Sequence, residues 1–238
     1  MLENSPSAKI KEFHDVLRIQ GYEGSYDSVK KRIQTLRREM GRQAGKVFDS
    51  PEAPQAQVEL SKIVLKGEGR EAKVHLFTMV FGRSGCFFAE LIDVCDMAGF
   101  LECHRNAFEF LGGVPKLVYY DPRENPALRK LVGGFPFHLP VVNCGQHYGY
   151  GVEATPLFAP WMKGRLKRPG KILKKHFFPQ YAFSTLETAN QDLRRWIREG
   201  AGNAPKDPSL KHGTHNLGPM PPDPFDFRSR QPALRLRA

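Results

Sequence analysis

Near Ala56 the apolar residues of this 238-residue chain stop recurring at helical spacing and begin to alternate. Before that point Ile10, Phe13, Val16 and Leu17, then Tyr26, Val29, Ile33 and Leu36, mark the inner faces of two helices. After it Val58 and Leu60 alternate, residues 74–81 form a second apolar run, and residues 86–92 form a third. The glycine-containing turns at 66–69 and 83–85 separate these runs. Met97, Phe100, Leu101, Ala107, Phe108 and Leu111 then restore the helical period, which Gly112-Gly113 closes. Residues 116–120 predict a fourth strand, finishing at Asp121. Three strands, a helix and a further strand restrict this part of the chain to the α/β class.

The finer pattern gives further expectations. Residues 86–92 are nearly all apolar, which predicts a central strand. Residues 128–134 read as a short helix, and 138–149 are ambiguous because Pro140 opposes a helix. A fifth strand is expected at 152–157. Residues 163–178 are basic and helical in pattern, interrupted at Pro169-Gly170, where a helix interior would lose roughly 3 kcal/mol for Pro and 1 for Gly. Ser184 is placed to cap a last helix, 186–198, with Leu193, Trp196 and Ile197 inward. At the other end, Ser25 caps the second helix after the turn Gly21-Tyr22-Glu23-Gly24, giving the outline of a helix-turn-helix. The resulting organisation is a partial helix-turn-helix at 1–45, a linker at 46–55, a main domain at 56–200 and a loosely ordered Pro/Gly-rich tail at 201–238.

Charge divides the chain unevenly. Residues 1–46 carry net +4, 47–162 net −3, 163–198 net +8 and 199–238 net +2. A neutral-to-acidic body between two basic segments suits a polyanion held by its flanks, and it equally suits a solvated helix face. Lys30, Lys31, Arg37 and Arg38 face outward on the second helix, and Lys163, Arg165, Lys167, Arg168, Lys171, Lys174 and Lys175 make the second cluster. No apolar run approaches the roughly 20 residues of a membrane span, so no membrane partner is expected. Glu3, Lys9, Lys11 and Glu12 stand where a signal peptide would be apolar. Four cysteines are too few for a disulfide framework, which points to the cytoplasm.

Two metal-like patterns and one nucleotide-like pattern are set aside. Cys95, Cys103 and His104 contain no C-x-x-C pair, and the last two fall on or near the core side of their helix. His212 and His215 lack a helix or a partner acid. Residues 67–72 mimic a dinucleotide fingerprint but join two strands. Phe177 and Phe178 read as core packing rather than base-stacking platforms.

The run Phe108-Glu109-Phe110-Leu111-Gly112-Gly113-Val114-Pro115, followed by Val118-Tyr119-Tyr120-Asp121, resembles the IstA-type transposases of bacterial insertion sequences. Gln55-Ala56-Gln57-Val58, His147-Tyr148-Gly149, Lys163-Gly164-Arg165-Leu166 and the turn around Gly21-Tyr22 resemble further parts of that family, in order, over about residues 8–200. The resemblance implies a ribonuclease-H-like integrase catalytic core, a mixed five-stranded sheet with helices, preceded by the partial helix-turn-helix. It also implies DNA as substrate, Mg²⁺ or Mn²⁺ held by two aspartates and a glutamate, a homo-oligomer on element ends, an ATPase helper protein and a nucleoid-associated place in the cytoplasm. Members of the family extend further on both sides, so the chain resembles a truncated copy.

Carried over by position, the family's three acidic residues become Glu59, Asp121 and Lys167. Glu59 keeps a carboxylate one methylene longer, and with Asp121 it could still hold a metal. Lys167 offers an ammonium with donors only and no lone pair for a metal, although it could contact a phosphate. The asparagine usual after the second aspartate is replaced by Pro122. These departures cluster at the chemistry while the core pattern survives. The sequence therefore predicts DNA nicking and strand transfer by descent, lost or badly impaired, with a non-catalytic DNA-binding remnant as the alternative.

Overall fold

The computed structural model describes residues 9–48, 55–67, 70–82, 86–123, 125–133, 137–156, 160–181, 184–199, 217 and 219–221. Two helices, α1 (Ile10–Ile19) and α2 (Tyr26–Phe48), precede five strands: β1 (Gln55–Gly67), β2 (Arg70–Phe81), β3 (Phe87–Ile92), β4 (Leu117–Tyr120) and β5 (Gly151–Ala154). Helix α3 (Met97–Leu111) joins β3 to β4, and α4 (Pro126–Val132) and α5 (Leu139–Tyr148) join β4 to β5. Helix α6 (Pro160–Ile172), a π-helical turn at Leu173–Phe177, a short 3-10 turn and α7 (Leu186–Arg198) follow.

The helical hairpin closes on a small core of Phe13, Val29 and Ile33, with Ile10 and Leu17 against it. Ser25 accepts a hydrogen bond from the Ser28 amide, as its capping position requires. Tyr26, expected inward, is 41% exposed and meets His14 edge-on instead. The second helix also continues to Phe48, through residues expected to begin a linker. Gly41 and Gly45 each cost a helix only about 1 kcal/mol, too little to end one.

The sheet order is β3-β2-β1-β4-β5, antiparallel for β1–β2 and β2–β3, parallel for β1–β4 and β4–β5. Strand β3 thus lies at the edge, which corrects its expected central place. Its apolar character has another cause: both faces are covered, and α7 reaches its open side. The Asn190 amide accepts from the Leu91 N–H at 2.7 Å and donates to the Leu91 carbonyl at 2.9 Å. One side chain thereby satisfies two strand groups that would otherwise need a sixth strand or water. Asn190→Ala is expected to cost about 2 kcal/mol in urea unfolding, with Asn190→Asp only partly restoring it because a carboxylate cannot donate.

Alternation along the strands sends side chains to two cores. Val58, Leu60, Phe77 and Met79 pack with Phe100, Ala107 and Phe108 of α3. Ile63, Leu65, Leu76 and Leu91 pack on the opposite face with Leu173, Phe177, Leu193 and Trp196. Leu217 and Met220, within the segment expected to be loosely ordered, also pack on the first core.

Several local departures have simple reasons. Pro140 sits in the first turn of α5, where its missing N–H has no helical partner to lose. Gly145 allows this helix to lie against β5, since a Cβ there would fall 2.8 Å from the Tyr150 carbonyl oxygen. Strand β5 ends at Ala154, shorter than expected. The cap of α7 is Thr185 rather than Ser184, bonded reciprocally with Thr188. Helix α6 runs through buried Pro169 without breaking, and the ladder then widens into the π-helical turn.

Candidate active site at the ends of the parallel strands

The parallel register pairs Gln57 with Tyr119 and Val58 with Tyr120. Glu59 and Asp121 are the next residues on each side, so the sheet brings the two carboxylates to adjacent positions at the carboxyl end of β4. Gln57 and Glu59 share the sheet face that the α6 segment covers, while Ala56, Val58 and Leu60 point into the first core. Helix α6 packs on both β1 and β2.

Side chains knit these strand ends together. Asp121 is 8% exposed, and Arg123 grips it with Nε at 2.9 Å from Oδ1 and Nη2 at 3.3 Å from Oδ2. The Arg123 backbone N–H also donates to Oδ1 at 3.3 Å. The same Arg123 Nη2 reaches the Thr155 carbonyl just beyond β5, and Gln57 donates to the Thr155 hydroxyl. Arg129 of α4 donates to the carbonyls of Pro122 and Arg123, and Asn125 donates to the Leu60 carbonyl while capping α4. The β4–α4 turn is therefore fixed by three side chains, and Arg123 is fixed over Asp121.

Glu59 is half-buried, and removal from water pushes its carboxyl above the ordinary value. The ammonium charges of Lys167 and Lys174 pull in the opposite direction, with the smaller effect. Lys167, Arg168, Lys171, Lys174 and Lys175 are exposed, while Lys163 and Arg165 are half-buried. Arg165 donates to the Gly82 carbonyl at 3.2 Å, which gives it a bracing role beside its charge. On α2, Lys30, Lys31 and Arg38 are exposed and Arg37 is half-buried. Cys103 and His104 are buried, with His104 bonded to the Phe100 carbonyl and the Tyr120 hydroxyl. Phe177 is buried and Phe178 half-buried. His212 and His215 lie outside the described residues.

Mg²⁺ or Mn²⁺ needs oxygen ligands free to turn toward it. Here both oxygens of Asp121 are engaged by a guanidinium, and Lys167, where the resemblance expects a third acid, is a lysine. Glu153, on β5, is exposed beside Tyr119 rather than beside Asp121. Among the described residues, no group of three His, Cys, Asp or Glu side chains could hold a metal ion. The residues present do not fit a two-metal centre. Arg123 is the site residue that sequence reasoning missed; a basic residue two places after a strand-end aspartate was the available signal.

No family model matches the sequence. The chain is 25% identical over 234 residues to a protein assigned as the transposase of insertion sequence element IS5376 from Geobacillus stearothermophilus, covering 95% of this chain and 58% of that protein. It is 25% identical to the transposase of element IS640 from Shigella sonnei, covering 78% and 59%. The transposase of element IS21 from Pseudomonas aeruginosa is likewise 25% identical, with 78% and 48% covered. The chain thus spans between about half and three fifths of these relatives. Among solved structures, the HTLV-2 integrase catalytic core in complex with magnesium matches at a TM-score of 0.47 and 15% identity, covering 66% of this chain and 90% of that one. A chain of the simian T-cell lymphotropic virus intasome, solved with a PP2A regulatory subunit, matches at 0.50 and 16%, covering 74% and 60%.

The mixed five-stranded sheet with its helices is the ribonuclease-H-like fold of integrase catalytic cores. Within that fold, the chain is similar in sequence to transposases of bacterial insertion sequence elements. Among the described residues no helix is long and apolar enough to cross a membrane.

Proposed function

We propose that the chain is an integrase-core protein that acts on DNA in transposition, with its metal-dependent nicking and strand transfer impaired. The observation that supports this reading is a lysine, Lys167, at the position where the family resemblance expects the third acidic ligand, its charge opposing the upward shift of Glu59. DNA as partner is supported by the relatives' transposase names and by the exposed cations of α2 and of the α6 segment. Assembly of several copies on DNA is drawn from the intasome neighbour, and an ATPase helper and a nucleoid-associated place in the cytoplasm from the family resemblance alone. Glu59 and Asp121 are the residues that would hold Mg²⁺ or Mn²⁺ in an active ancestor. A second reading, a DNA-binding remnant without catalysis, is favoured by the Arg123–Asp121 pair, which occupies a carboxylate that catalysis would need.

Supercoiled plasmid incubated with the chain and Mn²⁺ is expected to stay unnicked, while labelled duplex is bound with an affinity that falls steeply with salt. Nicking by the unaltered chain that Asp121→Ala abolishes would overturn the impairment. Nicking gained by a Glu59→Asp, Lys167→Glu variant would assign the loss to those two positions.

A further inference from the structure

Strand β1 outruns the neighbour on its β4 side. Strand β4 pairs with it only over residues 55–58, and just beyond them the Asn125 side chain takes the Leu60 carbonyl. Strand β1 nevertheless continues to Gly67, in unbroken antiparallel register with β2. Successive residues of a strand turn their backbone N–H and C=O to opposite sides. The Gln55 carbonyl accepts from the Gly82 N–H on the β2 side, and the Leu60 carbonyl accepts on the β4 side. Odd-numbered residues of β1 therefore turn to β2, and Lys62, Val64 and Lys66 turn away from it. Among the described residues, nothing takes the outward backbone groups of Lys62 and Val64. Both residues are exposed, Val64 by 48%. The border of β3 is closed by Asn190, whereas this stretch of β1 is open.

We propose that the border of β1 beyond Leu60 is a strand-addition site for an acidic, extended segment of another protein. That segment pairs with the backbone of Lys62, Val64 and Lys66, setting carboxylates beside the lysines and an apolar side chain beside Val64. Backbone pairing supplies the affinity in such a site, and alternate side chains supply the choice of partner. Charge decides between occupants. Lysine on an open edge is a guard against a second copy of the same strand. A copy added antiparallel about Val64 would set position 62 against position 66, lysine against lysine, and like charges directly opposite are destabilising. An acidic strand turns both repulsions into attractions, so the same two lysines reject the copy and admit the partner. One strand further in, Lys73 and Glu71 offset each other and leave the row positive. On the opposite face Ile63 and Leu65 are buried in the second core, so the border is already ordered before a strand arrives. The site requires neither DNA nor a metal.

The test combines residue-resolved amide hydrogen exchange with fluorescence anisotropy on the full chain, using a labelled peptide of alternating Glu and Val as probe. In the free chain the amides of Lys62 and Val64 are expected to exchange fast and those of Ser61, Ile63 and Leu65, bonded to β2, slowly. Saturating peptide should slow the Lys62 and Val64 amides about tenfold and leave the others unchanged. An equally acidic peptide with Pro in place of Val has no N–H at those positions and should not bind. Lys62→Glu should weaken the Glu-Val peptide about fivefold and favour one of alternating Lys and Val. Val64→Pro removes only an outward N–H and should abolish binding of either peptide. Circular dichroism and urea unfolding of both variants separate these effects from misfolding. Slow exchange at Lys62 and Val64 in the free chain would overturn the proposal, because the border would then be covered by the chain itself. Binding of the Pro-containing peptide, or binding that leaves these amides fast, would reduce the effect to charge attraction and overturn it. Amides slowed by a DNA duplex and not by the Glu-Val peptide would overturn it in favour of a nucleic-acid surface.

Discussion

Lowering the pH from 7 to 4 is expected to cost the fold about 3 kcal/mol through His104 alone. The imidazole is fully buried under Tyr120, and burial lowers its pKa from 6.5 to about 4 against a smaller opposing pull from the Phe100 carbonyl. A carbonyl only accepts, so Nδ1 carries the proton at 2.8 Å from it, and Nε2 accepts from the Tyr120 hydroxyl at 2.8 Å. A second proton would have to sit on Nε2, facing that hydroxyl. Above pH 6.5 both folded and unfolded chains keep the ring neutral and nothing is lost. Below it the unfolded chain binds a proton that the folded chain refuses, so stability falls as pH drops from 6.5 to about 4 and then levels off. The check is urea unfolding at pH 7, 5.5 and 4, with His104→Gln as reference. The variant keeps a donor and an acceptor but cannot titrate, so its pH dependence should be shallower by the stated amount. Parallel curves for the two proteins would refute the assignment.

Phe77→Ala is expected to cost about 4 kcal/mol, the largest single effect. Phe77 is fully buried on β2, and its ring meets His104 at 5.1 Å, Phe100 at 5.9 Å and Phe88 at 6.4 Å, all near edge-on. These partners belong to β3 and α3, so the cavity left behind is walled by a strand and a helix that cannot both collapse into it. Phe77→Leu, which fills most of the volume, should recover more than half of the loss. The midpoint of chemical denaturation at pH 7 measures both. A cost below about 1 kcal/mol for the alanine variant would mean that the site repacks.

The order of strands and helices was legible because hydrophobic period is a local property. The meander, α3 closing at Gly112, and β4 running up to the residue before Asp121 all followed from spacing. Strand position was not legible in the same way. Residues 86–92 carry the apolar run of a buried strand, yet what buries their edge is Asn190, about a hundred residues later, and nothing near β3 announces it. Pro169 was read as a break because propensity weighs only the lost hydrogen bond. Packing of α6 on β1 and β2 holds the helix through it. Of the candidate site, Glu59 and Asp121 were singled out through resemblance, and parallel register sets them side by side. Arg123 stayed hidden because a basic residue in a turn is ordinarily solvated. Only the folded turn, braced by Arg129 and Asn125, reveals that its charge is spent on Asp121.

The amide of Asn190 also bears on how copies of the chain can meet. An edge strand as apolar as Phe87–Ile92 is an invitation to sheet-to-sheet polymerisation, since a second chain could add to it by backbone pairing. With the Leu91 groups already taken, an incoming strand would have to evict Asn190 and lift α7 before its first hydrogen bond could form. Continuous fibres seeded from this border are therefore disfavoured at the outset, and loosening α7 would convert a foldable protein into a sticky one before it unfolded.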